Sequence, residues 1–142
     1  MRTIRRAALL LLALLVVCAC GPGAATAVGQ SQSCRSSMGE GRCEGSIRTV
    51  RGPYTYDIET DGVMRGTPYR VWVELSVDTS EMRVFVGSAA EPSAEAIARP
   101  GEPVSIEGVA EVGAFDAVQV GMYVAEGQEA TGVSYTIIWE RE

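Results

Sequence analysis

The chain has no histidine and no lysine. Their absence removes every Ser-His, Cys-His and lysine-based nucleophile scheme, leaving carboxylate chemistry as the catalytic route. A glycosidase needs two Asp or Glu about 5 to 10 Å apart, yet nothing in the spacing of the eighteen acidic residues singles out a pair. The expectation is a protein that is not an enzyme, with a carboxylate-based envelope hydrolase as a distant alternative. All twelve basic residues are Arg, which reads as the codon bias of a GC-rich bacterial genome. A long apolar run is also missing. The longest, Ala7 to Val17, has eleven residues, short of the roughly 20 that cross a bilayer as a helix.

That run is informative in another way. Arg2, Arg5 and Arg6 precede it and Gly21-Pro22-Gly23 follows it, the layout of a secretory leader. Its end, Val17-Cys18-Ala19-Cys20, resembles the bacterial lipobox, which implies cleavage after Ala19 and acylation of Cys20; ordinary signal cleavage after Ala25 or Ala27 is the alternative. Residues 1–19 are then a signal peptide and Cys18 leaves with it. Loss of the three leader Arg leaves nine Arg against eighteen acidic residues, a formal charge of −9. So acidic a surface excludes nucleic acid as a partner and disfavours anionic lipid headgroups, so the membrane is met through the lipid alone.

Cys34 and Cys43 remain. An even pair in an exported chain suggests a disulfide, and closing a loop of about ten residues stabilises by about 2.7 kcal/mol in the chain-entropy picture. Two thiols without histidine are too few ligands for tetrahedral zinc, and no cofactor is implied. The stretch from Gly21 to Ser33 is small and polar without periodicity, which reads as a flexible tether. Residues 20–45 are thus expected to be lipidated cysteine, tether and disulfide loop, with the folded domain at 46–142.

Within that domain Val is abundant and apolar residues alternate with polar ones. Tyr69 to Gly87 reads as a two-stranded ribbon: Val71, Val73, Leu75 and Val77 share one parity, Asp78 to Glu81 form a turn, and Met82, Val84 and Val86 resume it. Further strands are expected at Ser46–Val50, Tyr54–Ile58, Pro103–Val112 with a bulge at Gly108, Ala117–Ala125 and Val133–Trp139. Pro92 opens one or two helical turns that cross between sheets and end at Pro100-Gly101. The fold class is all-β, an antiparallel β-sandwich, jelly-roll-like, of about seven or eight strands, with a closed barrel as runner-up.

From about Tyr54 to Glu140 the chain resembles the bacterial pre-peptidase C-terminal type of jelly-roll domain. The resemblance rests on the opening aromatic strand, the alternating strand Arg70 to Val77, the short strand at Glu81 to Val86, the turn Pro100-Gly101-Glu102-Pro103 and the closing Gly132-Val133-Ser134-Tyr135-Thr136-Ile137-Ile138. It implies a non-catalytic accessory domain of exported proteins.

Two constellations stand out. Asp57, Glu59 and Asp61 with Gly62 open like a calcium loop, but Arg65 and Pro68 occupy the later ligand positions, so the pattern fails beyond its first half. Trp72 and Phe85 fall on the polar parity of the ribbon. Pairing Val77 with Met82 sets Trp72 opposite Gly87, so the pair reads either as a stacking platform for a sugar ring or as cover for bare glycine backbone. The function expected is a lipid-anchored envelope module with a binding or structural role, its partner an envelope protein or a glycan.

Overall fold

A computed structural model describes residues 26–60 and 62–142; the leader, Cys20 and Asp61 lie outside the described residues. Nine strands run in chain order: β1 (Thr26–Ser37), β2 (Glu40–Arg51), β3 (Pro53–Glu59), β4 (Pro68–Ser76), β5 (Met82–Gly87), β6 (Pro92–Ala98), β7 (Val104–Glu111), β8 (Ala117–Tyr123) and β9 (Ala130–Arg141). They form one sheet of order β1-β2-β9-β4-β7 and a second of order β3-β8-β5-β6. All strand pairs are antiparallel. With β1 set aside, two four-stranded sheets remain in the connectivity of a jelly roll. β1 is an added strand beside β2.

Period-two alternation builds the core. Val71, Val73 and Leu75 from β4, Val133 and Ile137 from β9 and Ile47 from β2 meet Val84 and Val86 from β5 and Val118, Val120 and Met122 from β8, all buried. Each such side chain contributes about 1.5 to 3 kcal/mol by leaving water. No described helix is long and apolar enough to cross a membrane.

The expected sandwich is present, but its pairing differs from the expected ribbon. β4 and β5 lie in opposite sheets: β4 pairs with β7 and β9, and β5 with β6 and β8. The segment between them is captured by the start of β9. Asp78 N–H donates to Thr131 O at 2.9 Å, and the Ser80 hydroxyl donates to Glu129 O at 2.7 Å. Those bonds draw the chain across the core instead of letting it fold back on itself.

Three other expectations are corrected. The helical turns after Pro92 are strand β6, which pairs with β5 in the same sheet; the crossing falls later, at the Arg99–Glu102 turn. Gly108 carries no bulge, since β4 and β7 keep one register from Pro68 to Val104. The irregularity sits at Val86/Gly87 instead. Finally, sheet begins at Thr26, not at residue 46. Most of the expected tether is β1, and the disulfide loop is the β1–β2 hairpin with Cys34 directly opposite Cys43.

Candidate functional site

The Cys34–Cys43 disulfide is formed. Cys43 is buried on the inner face of β2, and the Tyr56 hydroxyl, reaching across from β3, lies 2.6 Å from its sulfur. A disulfide sulfur has no proton, so Tyr56 donates. Around it the margin between β1 and β3 is filled by amphipathic side chains. Gln30 Nε2 donates to the Tyr54 hydroxyl at 2.5 Å, the Tyr135 hydroxyl donates to Gln32 Oε1 at 3.3 Å, and the Tyr56 and Tyr135 rings meet at 6.1 Å between centroids. Burial, with neighbouring Tyr54, pushes the Tyr135 phenol up to about 12; burial, then Tyr54 and Glu59, raises Tyr56.

The structure does not bring Trp72 and Phe85 together. Trp72 is half-buried on the outer face of the five-stranded sheet, opposite Ile138 on β9 and Glu107 on β7. Beside it lies a shallow hollow of about 390 Å³ lined by Glu74, Ser76, Ser105, Ser134 and Thr136 among others. Phe85 points the opposite way, from the outer face of the four-stranded sheet. There its ring covers Gly121, its partner on β8. The Arg83 guanidinium stands 5.0 Å from the ring centroid, and Arg83 Nε donates to Glu95 Oε2 at 2.7 Å. Glycine cover is therefore made by Phe85 over Gly121 and not by Trp72 over Gly87.

Asp57 and Glu59 project outward from the edge strand β3, opposite Gln119 and Ala117. Among the described residues no three acidic, cysteine or histidine side chains come together as metal ligands.

Sequence reasoning missed a third surface. The end of the sandwich away from Thr26 carries the β1–β2 turn, the loop of residues 62–67 and the loop of residues 112–116. Each holds one large apolar side chain in solvent: Met38 at 99% exposure, Met64 at 81% and Phe115 at 92%. Two of them sit on backbone that side chains normally avoid, Met38 at φ 48° and Phe115 at φ 143°, a cost of order 1 to 3 kcal/mol each. The neighbouring loops are clamped to each other. Thr60, a buried polar residue, donates from both its N–H (2.9 Å) and its hydroxyl (2.6 Å) to Asp116 O. Gly66 N–H donates to Val112 O, and Val112 N–H to Thr67 O, both at 3.0 Å. Such apolar tips leave no periodic pattern; the signal was a lone large apolar residue inside a glycine-flanked turn, as in Met38-Gly39, Gly62–Gly66 and Gly113–Asp116.

No protein-family model matches the chain, and no curated protein matches it in sequence. Solved structures similar to it include one titled "CBM4 structure and function" (12% identity over 70% of this chain and 71% of that one, TM-score 0.41). Another is the PRD1 vertex protein P5 (8%, 87% and 84%, TM-score 0.46), and a third is a pilus of Bacillus endospore appendages (12%, 88% and 96%, TM-score 0.37). At these values the likeness is to the β-sandwich as an architecture and says nothing of ligands.

Proposed function

We propose that the chain is an exported, lipid-anchored, non-catalytic binding module of a bacterial envelope, and that its partner docks on Met38, Met64 and Phe115. The observation that carries this reading is the placement of these three solvent-facing apolar tips at one end, with the Met64 and Phe115 loops tied together by the Thr60 clamp and the Met38 turn tied to β9 by Arg141 N–H, which donates to Gly39 O at 2.9 Å. Rigid presentation of apolar anchors lowers the ordering cost of binding. The acidic residues Glu40, Glu59, Glu111 and Asp116 flank the tips, against Arg65 and Arg141. That composition fits a protein partner whose apolar sockets are rimmed by basic groups. The disulfide supports an oxidising compartment, and the resemblance to pre-peptidase C-terminal domains points to the same class. From Cys20 to Thr26 the backbone reaches at most about 20 Å, while β1 is about 40 Å long. A lipid on Cys20 would on this reading meet the domain at the Thr26 end of β1, away from the docking end.

Two experiments test the proposal. Palmitate labelling in cells should mark the wild type and not Cys20→Ser, which is released from membranes; a mutant still membrane-bound after carbonate washing refutes the anchor. A photo-crosslinking residue placed at position 64 or 115 should give one discrete protein adduct that is not seen from position 76. The same adducts from all three positions, or none from the tips, refute the docking end. A second reading is favoured by the hollow on the Trp72 face of the sheet, whose hydroxyls and Glu74 suit hydrogen bonds to a sugar. Glycan binding abolished by Trp72→Ala, with Phe115→Ser unaffected, would establish it in place of the first.

A further inference from the structure

We infer that β1 is a pairing edge for a second copy of this chain, joining two five-stranded sheets into one continuous ten-stranded sheet. Among the described residues the strands at sheet edges are β1, β3, β6 and β7. Three of them are blunted in the ways that discourage edge pairing: β3 opens on Pro53 and carries Asp57 and Glu59, β6 opens on Pro92 and carries Glu95, and β7 carries Glu107 and Glu111. β1 has none of these devices. Over residues 27–37 it contains no proline and no carboxylate, only the single charge of Arg35, and every residue is exposed. In a chain of such negative charge, two copies meet with least repulsion along the one edge that lacks carboxylates.

The backbone is oriented for it. Cys34 and Cys43 stand 4.1 Å apart at Cα, the spacing of a non-hydrogen-bonded antiparallel pair. The register is unbroken from Gln30↔Ile47 to Ser37↔Glu40. The amides of Gln30, Gln32 and Cys34 therefore point away from β2, while those of Ser31, Ser33 and Arg35 bond to it. Antiparallel β1–β1 pairing is self-complementary and closes with two-fold symmetry, so it ends at a dimer. On β1, Val28 is 49% exposed, apolar surface for the partner strand to cover.

The test uses the exported chain carrying Cys20→Ser, so that no lipid drives association. Sedimentation equilibrium should find a dimer. Ser31→Glu and Ser33→Glu, which supply the missing carboxylate from side chains that make no bond in the β1–β3 margin, should each raise the dimer dissociation constant by about tenfold or more with the melting temperature of the monomer preserved. Hydrogen exchange on the unsubstituted chain gives an independent readout. Protection at Gln30, Gln32 and Cys34 should rise with protein concentration, while that at Ser31, Ser33 and Arg35 stays constant. A chain that remains monomeric at about 100 μM, well above the micromolar range of a specific dimer, overturns the inference, as does a dimer in which those three amides exchange freely.

Discussion

The two lateral margins of the sandwich are built on opposite plans. At the β6–β7 margin the sheets meet through small residues. A methyl group added at Gly108 would stand 2.5 Å from Ser93 Oγ, 3.1 Å from the Ala94 Cβ and 3.2 Å from the Val86 Cβ, so the layers touch and the margin is closed by small side chains set against a bare glycine. At the β1–β3 margin the layers are held apart by Tyr54, Tyr56, Tyr135, two glutamines and a disulfide, whose polar ends satisfy one another at the water boundary. One margin depends on an absence of side-chain volume and the other on large side chains with hydroxyl tips. Chemistry that suits one would ruin the other.

The largest expected effect calibrates both margins from the centre. Leu75→Ala should cost about 2 to 5 kcal/mol in chemical denaturation, while Ser76→Ala on the outer face costs under about 0.5. Equal losses at the two would contradict the strand parity on which both margins rest. Replacing Cys34 and Cys43 together by Ala should cost about 2 to 3 kcal/mol and loosen only the β1–β3 margin, read as faster hydrogen exchange in β1 with β6 and β7 unchanged. Gly108→Ala addresses the opposite margin. Overpacking of this kind costs about 1 to 3 kcal/mol, and a neutral result would mean that the two layers are not in contact there.

The smallest effect is a difference in pH response. Tyr56 and Tyr135 have raised phenol pKa values in the fold, so folding favours their neutral form. The associated stability is fully present below pH about 10, the unfolded-state value, and is lost as pH rises from there toward 12. β6 and β7 contain no tyrosine. Alkaline melts should therefore weaken the wild type more steeply than Tyr135→Phe, and identical slopes would remove the tyrosines from the account.

Strand parity was legible wherever one face of a strand is buried and the other wet, as in β4 and β9. Pairing was less so. Asp78 to Glu81 has the composition of a hairpin turn, and only its long-range bonds to Glu129 and Thr131 reveal a crossing between sheets. β1 was unreadable for a different reason: exposed on both faces, it needs no alternation, and a strand without alternation has the composition of a linker. In β6, alanines at 94, 96 and 98 look helix-prone, although the small size of Ala94 serves close approach to Gly108. The candidate site suffered similarly. Trp72 and Phe85 were visible as aromatics on the polar parity, but their separation onto opposite faces follows from the crossing, and Met38, Met64 and Phe115 obey no period at all.

The position of the disulfide also sets how the domain bears mechanical load. A pull entering through the chain ahead of Thr26 acts first on β1, shearing it along its ladder with β2. The covalent link between Cys34 and Cys43 passes that force to β2 before it reaches the hairpin turn. Only residues 26–33 can be stripped while the bond is intact. Under tension the β1–β2 turn and the Met38 tip stay in place, and reduction of a single bond would let the whole of β1 extend as tether.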